Sequence, residues 1–305
     1  MIATTRRLGA SFFNRPVLML FIAMLSWGGN TIAGRLAIGE VSPFVLVFLR
    51  WLIVSILMTS LLYPRIRAEW PTMRPRLGVM MLMALFGFVA FNMLFYIAAY
   101  TTTAINLGIL QGAMPILVLV GTVLVFRARV LPLQILGILA TMVGVALVAT
   151  HGDLSALGSL SINPGDGIMF LACIFYAGYT LALRNRPRVS GLVFFSVLSI
   201  FAAICSVPAL AYEMASGGAL WPTPDGWLIV LFVSLFPSCL AQIFFMRAVE
   251  LIGPGRAGVF INLVPIFSAL LAVAILSEPF HLHHGAALVL VLGGIWLSER
   301  RSALA

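Results

Sequence analysis

Residues 77–126 read LGVMMLMALFGFVAFNMLFYIAAYTTTAINLGILQGAMPILVLVGTVLVF, fifty residues between Arg76 and Arg127 without one charged side chain. A helix needs roughly 20 apolar residues to cross the hydrocarbon core of a bilayer, so this run predicts two crossings, over 77–100 and 104–126. Outward from it, the same criterion predicts spans at 17–37, 43–63, 131–150, 165–183, 190–212, 226–247, 256–276 and 283–298. Ser42-Pro43, Tyr63-Pro64, Asn163-Pro164-Gly165 and Gly253-Pro254-Gly255 mark breaks between them.

Composition requires the same conclusion. The 305 residues are 62% hydrophobic and 9% charged, where a soluble domain carries about 25% charged residues to present a wet surface. The surface must face lipid, and the fold class is an all-α integral membrane protein of ten transmembrane helices. The three cysteines (Cys173, Cys205 and Cys239) lie in apolar runs without zinc-type spacing and imply neither a disulfide framework nor a metal site.

The net charge of +9 comes entirely from arginine, with no lysine. A basic balance alone would suggest nucleic acid, but placement excludes it. Sixteen of the 18 arginines fall at the amino terminus, in alternate loops or in the tail: Arg6, Arg7, Arg15, Arg65, Arg67, Arg74, Arg76, Arg127, Arg129, Arg184, Arg186, Arg188, Arg247, Arg256, Arg300 and Arg301. The intervening loops hold Glu40, Asp153, Glu213, Asp225 and Glu278 and no arginine. By the positive-inside rule both termini are cytoplasmic.

The sequence also repeats on itself. At an offset of 150, Asn92 meets Gln242, Phe95 meets Phe245, Ala98 meets Ala248, Gly108 meets Gly258 and Pro115 meets Pro265. At 149, Gly29 meets Gly178, Thr31 meets Thr180 and Arg35 meets Arg184. The chain therefore divides into a five-helix repeat over 17–150, an extracytoplasmic linker over 151–164 and a second repeat over 165–298. Five spans per half is odd, so the halves are inserted upside down relative to each other. Such pairs exchange conformations around a central site, the mechanics of alternating access.

In order and spacing the chain resembles the drug/metabolite transporter superfamily, in its EamA-type ten-helix branch. The stretches that carry the likeness are Leu25-Ser26-Trp27-Gly28-Gly29-Asn30, Phe48-Leu49-Arg50, Gly108 to Pro115, Asn262-Leu263-Val264-Pro265-Ile266 and Leu276-Ser277-Glu278-Pro279. It is most similar to the YddG-type aromatic amino acid exporters. The resemblance implies a cavity lined by spans 1, 3, 4, 6, 8 and 9 in a bacterial inner-membrane exporter. One departure is that Ala128 stands where many relatives match the carboxylate of Glu278.

Polar groups are costly in hydrocarbon and mark the bundle interior. On that ground the substrate-binding candidates are Trp27, Asn30, Asn92, Tyr96, Tyr100, Gln111, Tyr176, Tyr179, Gln242, Phe245 and Asn262. Trp27 falls at mid-span, where it either packs as a core aromatic or offers a platform to an apolar substrate; the amides and phenols either bond between helices or meet a zwitterion. Pro115, Pro265 and Pro237 are hinge candidates among a stripe of small residues. Arg35 and Arg50 are the two intramembrane charges. Arg35 can pair with Glu40, and Arg50 serves either the fold or a substrate carboxylate.

No Asp or Glu lies near mid-span, which disfavours a proton-driven exporter of cationic drugs. No nucleophile–base cluster points to an enzyme, and no cofactor is implied. The expected partners are a small-molecule substrate, an amino acid or similar metabolite, and the lipid bilayer. Hydrophobic drugs are the alternative cargo and a passive channel the alternative mechanism. His281, His283 and His284 read as a solvated outer loop rather than a metal site. Gly137, Thr141, Gly144, Ala286, Gly293 and Gly294 could seat a homodimer or pack within a monomer.

Overall fold

The computed structural model describes residues 13–99, 101, 110–159, 164–276 and 280–299. Seven helical stretches among them are long and apolar enough to span a bilayer, with two shorter apolar helices at Leu110–Phe126 and Leu282–Ser298. The longest, Pro43–Phe95, has 53 residues and holds two crossings. A straight helix of that length would reach roughly 80 Å, yet the 25-residue helix Gly191–Ala215 packs both against Pro43–Met73 and against Leu77–Ala84 beyond it. The chain reverses at the 3₁₀ turn Arg74–Arg76.

The ten helices are α1 (Pro16–Leu36), α2 (Pro43–Met73), α3 (Leu77–Ala84 continued by Leu85–Ala90 and Phe91–Ala99), α4 (Met114–Phe126) and α5 (Pro132–Ala149), followed by α6 (Pro164–Ala182), α7 (Gly191–Ala215), α8 (Pro224–Val233 continued by Ser234–Leu240 and Ala241–Ile252), α9 (Pro254–Val259 continued by Phe260–Asn262 and Leu263–Leu276) and α10 (Leu282–Glu299). Large apolar side chains also cover the outside, among them Ile56, Leu124, Leu228 and Val289. Helices apolar all round are what lipid on one side and core on the other require.

One break in the sequence does not end a helix. Span 43–63 was expected to stop at Tyr63-Pro64, but α2 runs on to Met73 through Pro64 and Pro71. Proline removes one ladder bond and leaves the carbonyl four residues back unmet; for Pro64 that is Ser60, which is exposed. Arg65 and Arg67 thus stand on a helical extension rather than in a loop.

Packing is pairwise symmetric between the halves. α1 lies against α8 and α9, as α6 lies against α3 and α4; α2 meets α7, α4 meets α9, and α5 meets α10. Each half's first helix is therefore enclosed by the third and fourth helices of the other half. This interlocking gathers α1, α3, α4, α6, α8 and α9 at the centre and leaves the α5–α10 pair at the side.

The α2–α7 pair is clamped at both ends by the same device. Ser42, the N-cap of α2, donates its hydroxyl to Glu213 near the end of α7 (2.7 Å), and the Phe44 and Val45 N–H groups donate to the same carboxylate (3.2 and 3.0 Å). At the other end Ser190, the N-cap of α7, donates its N–H to Glu69 near the end of α2 (2.7 Å). A carboxylate at a helix start meets unpaired N–H groups and the positive end of the helix dipole.

Candidate functional site

Both third-of-repeat helices carry a π segment, Leu85–Ala90 in α3 and Ser234–Leu240 in α8, at matching places under the 150-residue offset. π turns shift the hydrogen-bond ladder by one residue and concentrate at functional sites. In α8 the Ala241 N–H reaches Phe236 O, five residues back. Pro237 has no N–H to offer Val233, and the Ser238 hydroxyl donates to the Val233 carbonyl instead (2.7 Å). The carbonyl of Pro237 accepts the indole N–H of Trp27 (3.0 Å), and that of Phe88 accepts the Asn92 amide (2.7 Å). Both π segments are thereby tied by side chains chosen from sequence.

Around them sits an aromatic box. The Trp27 ring centroid lies 5.3 Å from Phe245 and 6.1 Å from Tyr176; Tyr176 in turn lies 6.2 Å from Phe245, 5.7 Å from Tyr179 and 5.2 Å from Phe91. Trp27 and Tyr176 are themselves 149 residues apart, so the edge-on pair at the centre is formed by repeat mates. The Tyr179 hydroxyl faces the Gln242 carbonyl oxygen at 3.5 Å. The Tyr176 hydroxyl is buried beside the same Gln242 amide, short of a well-formed hydrogen bond, which places two phenols around one amide inside aromatic walls.

Of the expected site residues, Trp27, Tyr176, Tyr179, Gln242 and Phe245 converge, with Asn92 bonded back to its own helix beside them. Asn30 is half-buried one turn along α1 from Trp27, and Gln111 is half-buried ahead of α4. Asn262 points elsewhere: its amide donates to Thr141 of α5 (2.7 Å), an interhelical bond to the side scaffold. Pro115 follows a break at Ala113, and Pro265 follows the 3₁₀ turn Phe260–Asn262. Tyr100, Gly108 and Glu278 lie outside the described residues, as do the side chains of Arg35 and Tyr96.

Arg50 is buried, and its Nε donates to Ser238 in the π segment of α8 (2.6 Å), with the guanidinium 5.5 Å over Trp51. It braces the π segment of α8 from α2. Trp51 stacks on Phe88 at 4.5 Å and 5°, and Phe88 packs on Tyr179 at 5.2 Å. The Tyr179 ring sits where a Cβ on Gly87 would be, 2.3 Å from its Cγ, so the close approach of α6 to the first π segment requires that glycine. Trp51, Phe88 and Phe91 escaped the sequence reading because aromatics in an apolar helix carry no mark of which face they take. The four histidines gather at one end of α5 and α10, with His283 and His284 rings 4.2 Å apart, but no set of three His, Cys, Asp or Glu among the described residues could hold a metal ion.

A ten-helix bundle of two interlocked halves, with π-kinked helices around a polar-aromatic centre, has the architecture of a two-repeat membrane transporter. The chain belongs to the EamA-like transporter family, in the drug/metabolite transporter superfamily, whose profile matches residues 14–150 and again 163–300. It is 26% identical over 281 residues to the uncharacterized transporter YetK of Bacillus subtilis (92% of this chain, 85% of that one). It is 25% identical over 287 residues to an uncharacterized transporter of Archaeoglobus fulgidus (93% and 97%). A solved crystal structure shares the fold with a TM-score of 0.78 at 19% identity, over 95% of this chain and 99% of that one.

Proposed function

We propose that this chain is an alternating-access exporter of small neutral metabolites, amino acids and aromatic ones above all, seated in a bacterial inner membrane with both termini cytoplasmic. The observation that carries the reading is the box of Trp27, Tyr176 and Phe245, with the Tyr176 and Tyr179 hydroxyls set beside the Gln242 amide. Ring faces and edges bind an aromatic side chain by stacking. The nearby phenols and the Gln242 amide offer hydrogen bonds to an amino or carboxyl group without fixing a net charge in the membrane. Mechanism follows from symmetry: contacts of α1 with α8 and α9 have mates in those of α6 with α3 and α4, so either half can take the other's conformation. The paired π segments, where the hydrogen-bond ladder is already shifted, offer α3 and α8 matching places to bend.

Counterflow in proteoliposomes with a panel of labelled amino acids tests this. Exchange of phenylalanine or tyrosine is the expected result; exchange of none of the panel, with hydrophobic drugs moved instead, assigns the alternative cargo. Trp27→Ala is expected to lower aromatic exchange about two- to tenfold, the worth of one ring contact of about 0.5–1.4 kcal/mol, and small aliphatic exchange far less. Equal loss for both would make Trp27 a brace for Pro237 and nothing more. Trp27→Phe, which keeps a ring and loses the indole N–H, separates stacking from that bond.

A further inference from the structure

A cleft of about 810 Å³ opens on the arginine-rich face, lined by Thr72 at the end of α2, by Pro75 and Arg76 from the α2–α3 link and by Arg184 through Arg188 from the α6–α7 link. Arginine on one face is the topological signature of any multispanning chain. This cleft differs in that four arginines, contributed by both halves, line one volume with no carboxylate in its lining. The nearest acids are already engaged: Glu250 pairs with Arg186 and Arg247, and Glu69 takes the Ser190 N–H.

The cationic walls are also set in place. Arg184 lies 4.4 Å over the Phe126 ring and Arg186 5.4 Å over Phe194, so two guanidiniums are stacked on aromatics rather than free to turn away. Arg76 donates to the Asn185 carbonyl (3.1 Å), bridging the two links across the cleft. The Arg186 Nη1 is buried and meets no acceptor among the described residues. Like charges held together repel, and a focused positive potential in a concave site raises the local concentration of anions.

We propose that this cleft binds a phosphate-class oxyanion, supplied either as free phosphate or as the headgroup of an anionic phospholipid. Guanidinium forks match tetrahedral phosphate oxygens two at a time, and both sources present them. The site is distinct from the aromatic box and does not depend on the cargo proposed for it. It couples to the fold because the Ser190–Glu69 clamp and the Arg76–Asn185 bridge join the same two links, so an occupant would hold the ends of α2 and α7 together on this face.

The test uses the full chain purified in neutral detergent, stripped of lipid. Inorganic phosphate is titrated while the unfolding midpoint is followed, with chloride at matched ionic strength as control. The expected result is a saturable rise with phosphate and none with chloride. In the Arg184→Gln/Arg188→Gln variant the half-saturating concentration should rise at least fivefold. Both side chains are exposed, and Arg188→Gln alone serves if the double variant does not fold. Reconstitution in nanodiscs separates the sources: phosphatidylglycerol that abolishes the phosphate response assigns the headgroup, and a response that persists there as in phosphatidylcholine assigns the soluble ion. Equal phosphate responses in wild type and variant, or a chloride response of the same size, overturn the proposal.

Discussion

Replacing Glu213 by alanine is expected to destabilise the folded protein by about 2–4 kcal/mol, because the loss strands a cluster of donors rather than a single bond. The carboxylate is buried and receives the Ser42 hydroxyl and the first two N–H groups of α2. Alanine leaves those amides without an acceptor at the positive end of a 31-residue helix. Thermal unfolding in detergent should fall by roughly 3–6 °C on that estimate. Glu213→Gln keeps one acceptor oxygen and should lose less. Its counterpart at the opposite face supplies an internal standard: Glu69 takes a single backbone N–H and is half-buried, so Glu69→Ala should cost no more than about 1 kcal/mol. A Glu213→Ala variant that melts with the wild type would show that α2 is held at its N-terminal end by packing alone.

Glu213 also marks the limit of what the sequence discloses. The chain has so few carboxylates that each loop acid reads as a mark of the outer face, and nothing distinguishes one that turns inward to cap a distant helix 171 residues away. The ten helices, by contrast, follow from charge-free length, a property that survives any error about side-chain direction. The repeat offset matched Gln242 to Asn92 and Phe245 to Phe95, while Trp27 and Tyr176 stood out as polar-edged aromatics inside apolar spans, and the structure brings Trp27, Tyr176, Gln242 and Phe245 to one place. The offset could not say that Asn262 would turn to Thr141, since a polar residue on an apolar helix satisfies itself with whichever neighbour arrives first. The π segments were foreshadowed only by Pro237. Their pairing with Leu85–Ala90 has no proline to announce it, and Gly87 there looks like any other small residue in a span. Arg50 was legible as an intramembrane charge, while its brace on Ser238 depends on how α2 meets α8.

Gly294→Ala is expected to be among the most damaging single-methyl changes in the chain, with a loss of about 3 kcal/mol or more, whereas Gly293→Ala should leave the unfolding midpoint unchanged or raise it slightly. The two glycines are adjacent in α10 and differ only in what they face. A Cβ on Gly294 would stand 2.5 Å from the Gly137 carbonyl oxygen and 3.0 Å from the Thr141 N, and one on Gly137 would stand 2.4 Å from the Gly294 carbonyl oxygen and 2.9 Å from the Ser298 N. These are backbone atoms, which cannot rotate aside as a side chain would. Relief requires the α5–α10 seam to open along its length, including the Gly144 contact with Ala287 and Val291. Each of these helices meets α9 far less extensively than it meets the other, so little else holds the pair in register. Gly293 has nothing within 4 Å and is exposed on the lipid side. There alanine adds a better helix former at no steric cost. The small residues Gly137, Gly144 and Gly294 are thus consumed inside the fold, where close backbone approach replaces the hydrophobic driving force that lipid cannot supply. A Gly294→Ala protein as stable as Gly293→Ala would mean that α10 can shift against α5, and the pair would then belong to the moving parts rather than to the frame around them.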